Sequence, residues 1–256
     1  MPYAGLIPAA FALPSLAMLA WLSRRWPTET PHRLAVLATQ AGVALLFITL
    51  VFPIQFDREW LTISWALEGA ALLWLFRRLP HPGLRLVGLA LLGVAFARLT
   101  LNPTVFAYHA RSETPILNWY LYTYSIAAAA MFTGAGLLRP GSESFNGIDL
   151  RGVLRTLGAV LLFALLNIEI ADFFAEGPTL TFDFSGNFAR DLSYTIGWAL
   201  FALGLLVIGI ARASRPTRYS GIGLLAVTLL KLFFHDLARL DQLYRIGAFA
   251  GVAVVW

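Results

Sequence analysis

One ionisable residue, Glu68, lies deep inside an apolar segment, in the stretch TISWALEGA (62–70). It stands about nine residues into its predicted helix, or about 14 Å along the helix axis. An ionised carboxylate at that depth is costly. Glu68 is therefore expected to be protonated, hydrogen-bonded to another helix, paired with a base or facing a wet cavity. A polar clamp between helices and a proton or ion site of a transporter both fit this position.

Two basic residues, Arg98 and Lys231, occupy matching positions within about one turn of predicted outer helix ends. A long basic side chain there can reach the lipid headgroups, bind an anionic group such as a phosphate, or pair with a carboxylate. Glu169 and Asp172 are three residues apart, share a helical face and are the natural partners. We treat Arg98, Lys231 and Glu169 as candidate ligand-binding residues.

The stretch NWYLYTY (118–124) supplies a cluster of aromatic side chains near a helix end. Such residues commonly form an interfacial belt in membrane proteins, and Trp119, Tyr120 and Tyr122 are also candidate stacking surfaces for a ligand. The tyrosines cannot all share one helical face. At least one is predicted to face a neighbouring helix or a ligand.

Candidate acid–base groups are His235, Asp236 and Asp172. Imidazole titrates near neutrality, so His235 suits a general base, although loop histidines are commonly only solvated. Lys231, His235 and Arg239 would form one basic stripe if the helix continued past Asp236. No spacing indicates a metal site, and no motif indicates a cofactor.

The composition predicts a polytopic membrane protein, because 59% of the 256 residues are hydrophobic and only 13% are charged. The chain has no cysteine, which excludes disulfides and thiolate ligands. Its net charge of +5 comes from arginines in short linkers, where they set topology, so nucleic acid is not an expected partner.

Nine apolar runs punctuated by Pro and Gly predict about nine transmembrane helices. Their limits are 4–22, 33–52, 59–76, 83–99, 115–137, 152–173, 191–211, 218–235 and 243–256. The last run is still apolar at Trp256, so either the chain is naturally short or, as we expect, it is a piece of a longer protein. The basic residues gather in alternate linkers, so we predict a bacterial inner-membrane protein with its N-terminus outside and its C-terminus inside.

Part of the sequence is repeated. A constant shift that places Thr62 on Thr195 also superposes TISWAL on TIGWAL and Arg98 on Lys231. A second internal similarity, at a different shift, relates residues 42–54 to 158–170. Glu68 has no counterpart, because Phe201 occupies its place.

These internal sequence similarities predict two parallel four-helix repeats. The predicted segments are an extra N-terminal helix and loop (1–32), the first repeat (33–137), a cytoplasmic linker (138–151) and the second repeat (152–256), which carries an outer loop insertion (174–190). Repeats of this parallel kind lack the inverted symmetry of many transporters.

Several motifs in the same order resemble the DUF2339 family of predicted bacterial membrane proteins. They are WALEGAALLWL, LRLVGLALLGVAFARL, LNWYLYTYSIAAAAMF and LLKLFFHDLARLDQLYRIGAFAG. The resemblance covers most of the chain from about residue 40 onward. It implies a longer protein with more helices, and it supplies no activity, cofactor or catalytic residue.

Three functions remain open at this point. The first is binding of an anionic, amphipathic envelope ligand, a lipid or a lipid-linked glycan, in an outward-facing cleft. The second is acyl or glycosyl transfer at the outer leaflet, and the third is ion- or proton-coupled transport that uses Glu68. Membrane lipids are expected partners, together with other envelope proteins or missing parts of the same chain.

Overall fold

The structure is a computed structural model. The part of the chain that it describes is all-α, apart from one short β-hairpin. The described residues are 5–27, 32–55, 60–107, 114, 116–139, 144–145, 147–175, 177, 180, 182 and 187–236. The predicted all-α class is therefore confirmed.

The described residues form eight α-helices that follow one another in sequence. They are α1 (Leu6–Arg25), α2 (Arg33–Gln55), α3 (Trp60–Arg78), α4 (Pro82–Leu101), α5 (Trp119–Leu137), α6 (Leu150–Phe174), α7 (Phe188–Ala211) and α8 (Arg215–Lys231). Each matches a predicted apolar run to within a few residues. The ninth predicted run, 243–256, lies outside the described residues.

Shorter elements connect or extend these helices. A 3₁₀ helix, Pro103–Ala107, follows α4, and a π-helical turn, Leu232–Asp236, continues α8. Strands β1 (Ser144–Phe145) and β2 (Ile148–Asp149) pair antiparallel in the predicted linker before α6.

Six of the eight helices, namely α1, α2, α4, α6, α7 and α8 with its π-helical turn, are long and apolar enough to cross a membrane. The other two, α3 and α5, have 19 residues each and bury more side chains than α1, α4, α7 or α8. Their buried faces carry small or polar residues such as Ser64, Gly69 and Ala127. Small residues allow close packing of these two helices against their neighbours.

The chain divides into two compact units, and unit 1 (Met1–Leu165) is organised around α3. Helix α3 contacts α2, α4 and α5, while α1 packs on α2. Gly69 and Gly88 lie where α3 and α4 cross. A Cβ atom added to Gly69 would lie 2.8 Å from the carbonyl oxygen of Gly88, and one added to Gly88 would lie 3.0 Å from that of Gly69. The two backbones can approach this closely only with glycine at the crossing.

Unit 2 (Leu166–Trp256) contains the corresponding helix pair, α7 and α8. A Cβ atom added to Gly221 would lie 3.0 Å from the carbonyl oxygen of Ala202 and 2.9 Å from the side chain of Leu206. The sequence repeat aligns Gly221 with Gly88 and Ala202 with Gly69. The repeat therefore recurs in space as one helix pair in each unit, whereas the two four-helix repeats remain a prediction.

Side-chain caps set where three helices of the candidate sites begin. Asn118 accepts a hydrogen bond from the backbone N–H of Leu121 at the start of α5, and Asn187 accepts one from Arg190 at the start of α7. His81 caps α4, and Pro82 follows it at the first helical position. Asn and first-turn Pro both favour helix starts, so these boundaries are encoded locally.

Candidate functional site

Glu68 is a buried carboxyl at the middle of α3, with 4% of its surface exposed. It stands about 12 Å along the axis from Trp60 and about 15 Å from Arg78 at the other end of the helix. The Thr49 hydroxyl of α2 donates a 2.7 Å hydrogen bond to its Oε2 atom. This contact joins α2 to α3, as the clamp interpretation predicted.

Glu68 also lines a cavity of about 300 Å³ within unit 1. The lining residues are Ala38, Thr39, Gly42, Val43 and Leu46 of α2, Glu68 and Leu72 of α3, and His81, Gly83, Leu84 and Val87 around the start of α4. Most of these side chains are apolar. Glu68 therefore forms a bond between two helices and also lines a cavity, although the predicted alternative was a wet cavity and this lining is mostly apolar.

The cavity runs from the middle of α3 towards the turn between α3 and α4. His81 lies at that turn, and its Nδ1 atom accepts a hydrogen bond of 3.2 Å from the backbone N–H of Gly83. Ala38 and Leu84 are buried on the inner side, at 1% and 6% exposure, whereas Leu46 and Val87 are 46% and 50% exposed at the edge. The cavity thus opens sideways between α2 and α4, two helices that are apolar enough to face lipid.

The donor set of this cavity suits a proton or an organic group better than a metal ion. Its polar lining residues are Thr39, Glu68 and His81, whereas hard cations take six or more oxygen ligands. Over the described residues, no group of three or more His, Cys, Asp or Glu side chains could hold a metal ion.

Arg98, the first predicted anionic-ligand residue, lies in unit 1 with its guanidinium over the ring of Trp65, 5.8 Å from the centroid. This distance is within the range of a cation–π contact. The aligned tryptophan of the second copy, Trp198, instead donates a 2.8 Å hydrogen bond to Asn167 Oδ1. The two copies have therefore diverged around their shared tryptophan.

Two of the three predicted stacking residues are covered by the chain itself. The rings of Trp119 and Tyr120 lie 4.4 Å apart and are buried, and the Tyr120 hydroxyl donates to the carbonyl of Phe106. Tyr124, one turn further, is fully buried and donates a 2.8 Å bond to the carbonyl of Leu99. The prediction that some of these tyrosines face a neighbouring element is confirmed, and Tyr122, 48% exposed, is the one with an open ring face.

Lys231, the second predicted anionic-ligand residue, donates three hydrogen bonds within unit 2. Its Nζ atom lies 2.8 Å from Asp236 Oδ1, 2.7 Å from Thr195 Oγ1 and 2.9 Å from the carbonyl oxygen of Asp191. These bonds use all three N–H groups of the ammonium. Thr195 also donates to Asp236 Oδ2, so both oxygens of this buried carboxylate accept hydrogen bonds.

The π-helical turn explains why the carboxylate beside Lys231 is Asp236, and not Glu169 or Asp172 as the helical spacing predicted. Residues five apart point about 140° away from each other in an α-helix. In a π-helix the backbone bonds join residues five apart, which brings their side chains to one face. The predicted basic stripe assumed α-helical spacing, and its third member, Arg239, lies outside the described residues.

Of the three candidate bases, His235 is the most accessible. Its Nε2 atom lies 3.8 Å from Asp191 Oδ2, and its side chain is 33% exposed against 3% for that of Asp191. Asp172 is 1% exposed. Asp236 already accepts two hydrogen bonds. Of the three candidates, only His235 is partly exposed and also lies next to a buried carboxylate, that of Asp191. Acid–base dyads have the same arrangement, an accessible base oriented by a second group.

Sequence reasoning did not identify Thr49 or Thr195 as hydrogen-bond partners, and it gave a cavity beside Glu68 only as one of several alternatives. Thr49 could have been predicted as the partner of Glu68 from its depth in the helix. It stands about 9 Å from the end of α2, and Glu68 stands about 12 Å from the facing start of α3. Two polar residues at similar depth in consecutive apolar helices are candidates for a shared bond. Thr195 carried no such signal, since its partner Asp236 reaches it only through the π-helical turn.

The model of one protein family, described as "Predicted membrane protein (DUF2339)", matches residues 3–187 and again residues 86–256. The two matches together cover nearly the whole chain. They overlap over residues 86–187, as is expected of a sequence with internal repeats. No curated protein and no solved structure matches the chain.

Proposed function

This chain belongs to the DUF2339 family of predicted membrane proteins, and from that premise we propose that it is a proton-coupled transport protein in which Glu68 binds and releases the proton. The observation that carries the proposal is the position of Glu68. Its carboxyl is buried halfway along α3, bonded to Thr49, and forms part of the wall of a cavity of about 300 Å³.

Burial without a basic partner favours a proton at this site. Among the described residues, the hydrogen-bond partner of Glu68 is the neutral Thr49 hydroxyl, and no Lys, Arg or His forms an ion pair with it. A carboxylate in apolar surroundings requires a compensating charge, and a bound proton supplies it. Ionisable groups with these surroundings inside membranes commonly mark proton or ion pathways.

The repeat indicates that packing of α3 on α4, the helix pair that recurs as α7 and α8, does not depend on Glu68. The second copy has Phe201 at the aligned position, and α7 and α8 still cross closely at Ala202 and Gly221. A carboxylate is therefore not needed for this helix pair to pack. In the predicted orientation the turn at His81 is cytoplasmic, so Glu68 would exchange its proton with that side in the state described here.

A second candidate function, transfer of an acyl or glycosyl group, is favoured by one observation in unit 2. His235 is partly exposed and Asp191 is buried behind it, so His235 would act as the base. Substituting His235 by Gln would then abolish turnover while ligand binding persisted.

Binding of a lipid or lipid-linked glycan at Arg98 and Lys231 has weaker support. Each of these residues already has contacts inside its own unit.

The first test is chemical labelling of purified protein in lipid nanodiscs with dicyclohexylcarbodiimide, which adds to protonated carboxyl groups in apolar surroundings. Peptide mass spectrometry should find the adduct on Glu68, with labelling lost as the pH rises and the carboxyl ionises. Asp149, an exposed carboxylate that caps α6, is the internal control and should remain unlabelled. An unlabelled Glu68 in folded protein would contradict the proposal.

The second test compares Glu68→Gln with Glu68→Asp in proteoliposomes that contain a trapped pH-sensitive dye. Gln preserves the shape and can still accept the Thr49 hydrogen bond, so the variant should remain folded while losing its proton exchange. Asp keeps a titratable group and should retain part of it. Equal proton exchange in wild type and Glu68→Gln would reduce Glu68 to a clamp between α2 and α3.

A further inference from the structure

The cavity beside Glu68 also has the properties of a substrate site. We infer that it binds a small organic cation with an apolar body, such as a quaternary ammonium, in exchange for the proton of Glu68. This inference rests on the proposed function, because it assigns the substrate class of the same site.

The size and lining of the cavity support an apolar body. A volume of about 300 Å³ is at the lower end of ordinary small-molecule sites. Val43, Leu46, Leu72, Leu84 and Val87 supply most of the apolar wall. Such a wall favours alkyl or aryl groups and offers few replacements for the hydration shell of an inorganic ion.

The charge of the site supports a cation. A neutral apolar molecule would leave the carboxyl group of Glu68 unused, and an anion would be repelled once that group ionises. An ammonium placed beside the ionised Glu68 restores neutrality inside the apolar cavity. The Thr49 hydroxyl, which already donates to Oε2, would continue to stabilise the carboxylate.

The open edge of the cavity supports entry from the membrane. Leu46 and Val87 are about half exposed, and they lie on α2 and α4, both of which are apolar enough to span. A cation with an apolar body concentrates near the membrane surface, because its body partitions into lipid while its charge remains near the headgroups. The lateral opening is therefore accessible to this class of molecule.

The exchange balances in charge and atoms. Before binding, the carboxyl group of Glu68 carries a proton and the cavity is neutral. As the cation enters, the O–H bond of the carboxyl breaks and the proton passes to water at the His81 end. The carboxylate that remains pairs with the ammonium, so the cavity is neutral again and one proton has been exchanged for one cation.

The test uses benzyltrimethylammonium and its uncharged carbon analogue, neopentylbenzene, with the full chain in nanodiscs. Isothermal titration in two buffers of different ionisation enthalpy counts the protons released on binding. The cation should release about one proton per protein and protect Glu68 from carbodiimide, whereas neopentylbenzene should release none. Glu68→Gln should release no proton and raise the Kd of the cation roughly 30-fold or more.

A cavity-filling variant tests the same inference without changing the carboxyl group. A Cβ atom at Gly42 meets only Leu84 at 3.5 Å, an ordinary contact, so Gly42→Val should fold while occupying part of the cavity. It should raise the Kd of benzyltrimethylammonium. Gly136→Val is the matched control, because Gly136 has no atom within 4 Å of its added Cβ and does not line the cavity.

The outcomes separate the two proposals. If carbodiimide labels Glu68 but the cation neither protects it nor releases a proton, the substrate class is wrong and the proton site stands. The substrate class is also wrong if Glu68→Gln binds the cation as tightly as wild type. If Glu68 is not labelled and proton exchange is absent, the proposed function itself fails, and this inference fails with it.

Discussion

Replacing Lys231 by Met should destabilise the protein strongly, because it leaves a buried carboxylate without its cation. Lys231 and Asp236 have side-chain exposures of 11% and 2%, and their charged atoms are 2.8 Å apart. Removing one partner of a buried ion pair typically costs about 3–5 kcal/mol. Thr195 would still donate to Asp236, so we expect the lower part of this range, about 3 kcal/mol.

The measurement is the apparent free energy of unfolding in mixed micelles, followed by tryptophan fluorescence. Arg212→Met is the matched control. Arg212 is exposed after the end of α7, so its loss should change the free energy by less than about 0.5 kcal/mol. The double variant Lys231→Met with Asp236→Asn should recover part of the loss, since the second change removes the unpaired charge.

A cost for Lys231→Met no larger than that of Arg212→Met would refute this reasoning. It would mean that the ammonium is solvated and that Asp236 does not depend on it. Loss of co-purifying lipid without loss of stability would instead favour the anionic-ligand role predicted from sequence. The structure thus predicts that Lys231→Met changes the free energy of unfolding, whereas the sequence prediction expects it to change the amount of bound lipid.

Two further predictions concern buried contacts. Tyr124→Phe should lower the free energy of unfolding by about 1–2 kcal/mol, because it removes a buried 2.8 Å hydrogen bond to a carbonyl of α4, whereas Tyr122→Phe at an exposed site should have little effect. Gly88→Ala and Gly221→Ala should each cost about 1–3 kcal/mol, because the added Cβ meets a backbone oxygen at 3.0 Å in both helix pairs. Gly93→Ala, with open space around its Cβ, is the control in the same unfolding assay. A cost at only one of the two crossing glycines would show that the two pairs do not share one packing.

The helices and the repeated pair could be predicted from sequence, because both depend on local pattern. Apolar runs of membrane-spanning length fix where helices form. The sequence repeat aligns Gly88 with Gly221 and Leu73 with Leu206, and the structure shows these aligned residues in equivalent contacts.

The candidate site depended on geometry that periodicity does not contain. The cavity is lined by α2, α3 and the start of α4 beside Glu68, and no residue type marks such a gap. The hydrogen bonds of Lys231 to Asp236 and Thr195 could not be predicted from sequence, because they depend on the π-helical turn that follows α8 and ends at Asp236. Trp119 and Tyr120, which the sequence offered as stacking surfaces of an open aromatic cleft, are buried and pack on each other.

The glycine crossings have a consequence for how the chain is made. In both pairs the helices that meet, α3 with α4 and α7 with α8, are consecutive in sequence and separated by a short turn. Each crossing can therefore close as soon as the second helix of the pair has been synthesised and inserted, without waiting for the rest of the chain. Contacts so local in sequence form fast, so each helix pair can pack inside the membrane before later helices assemble on it.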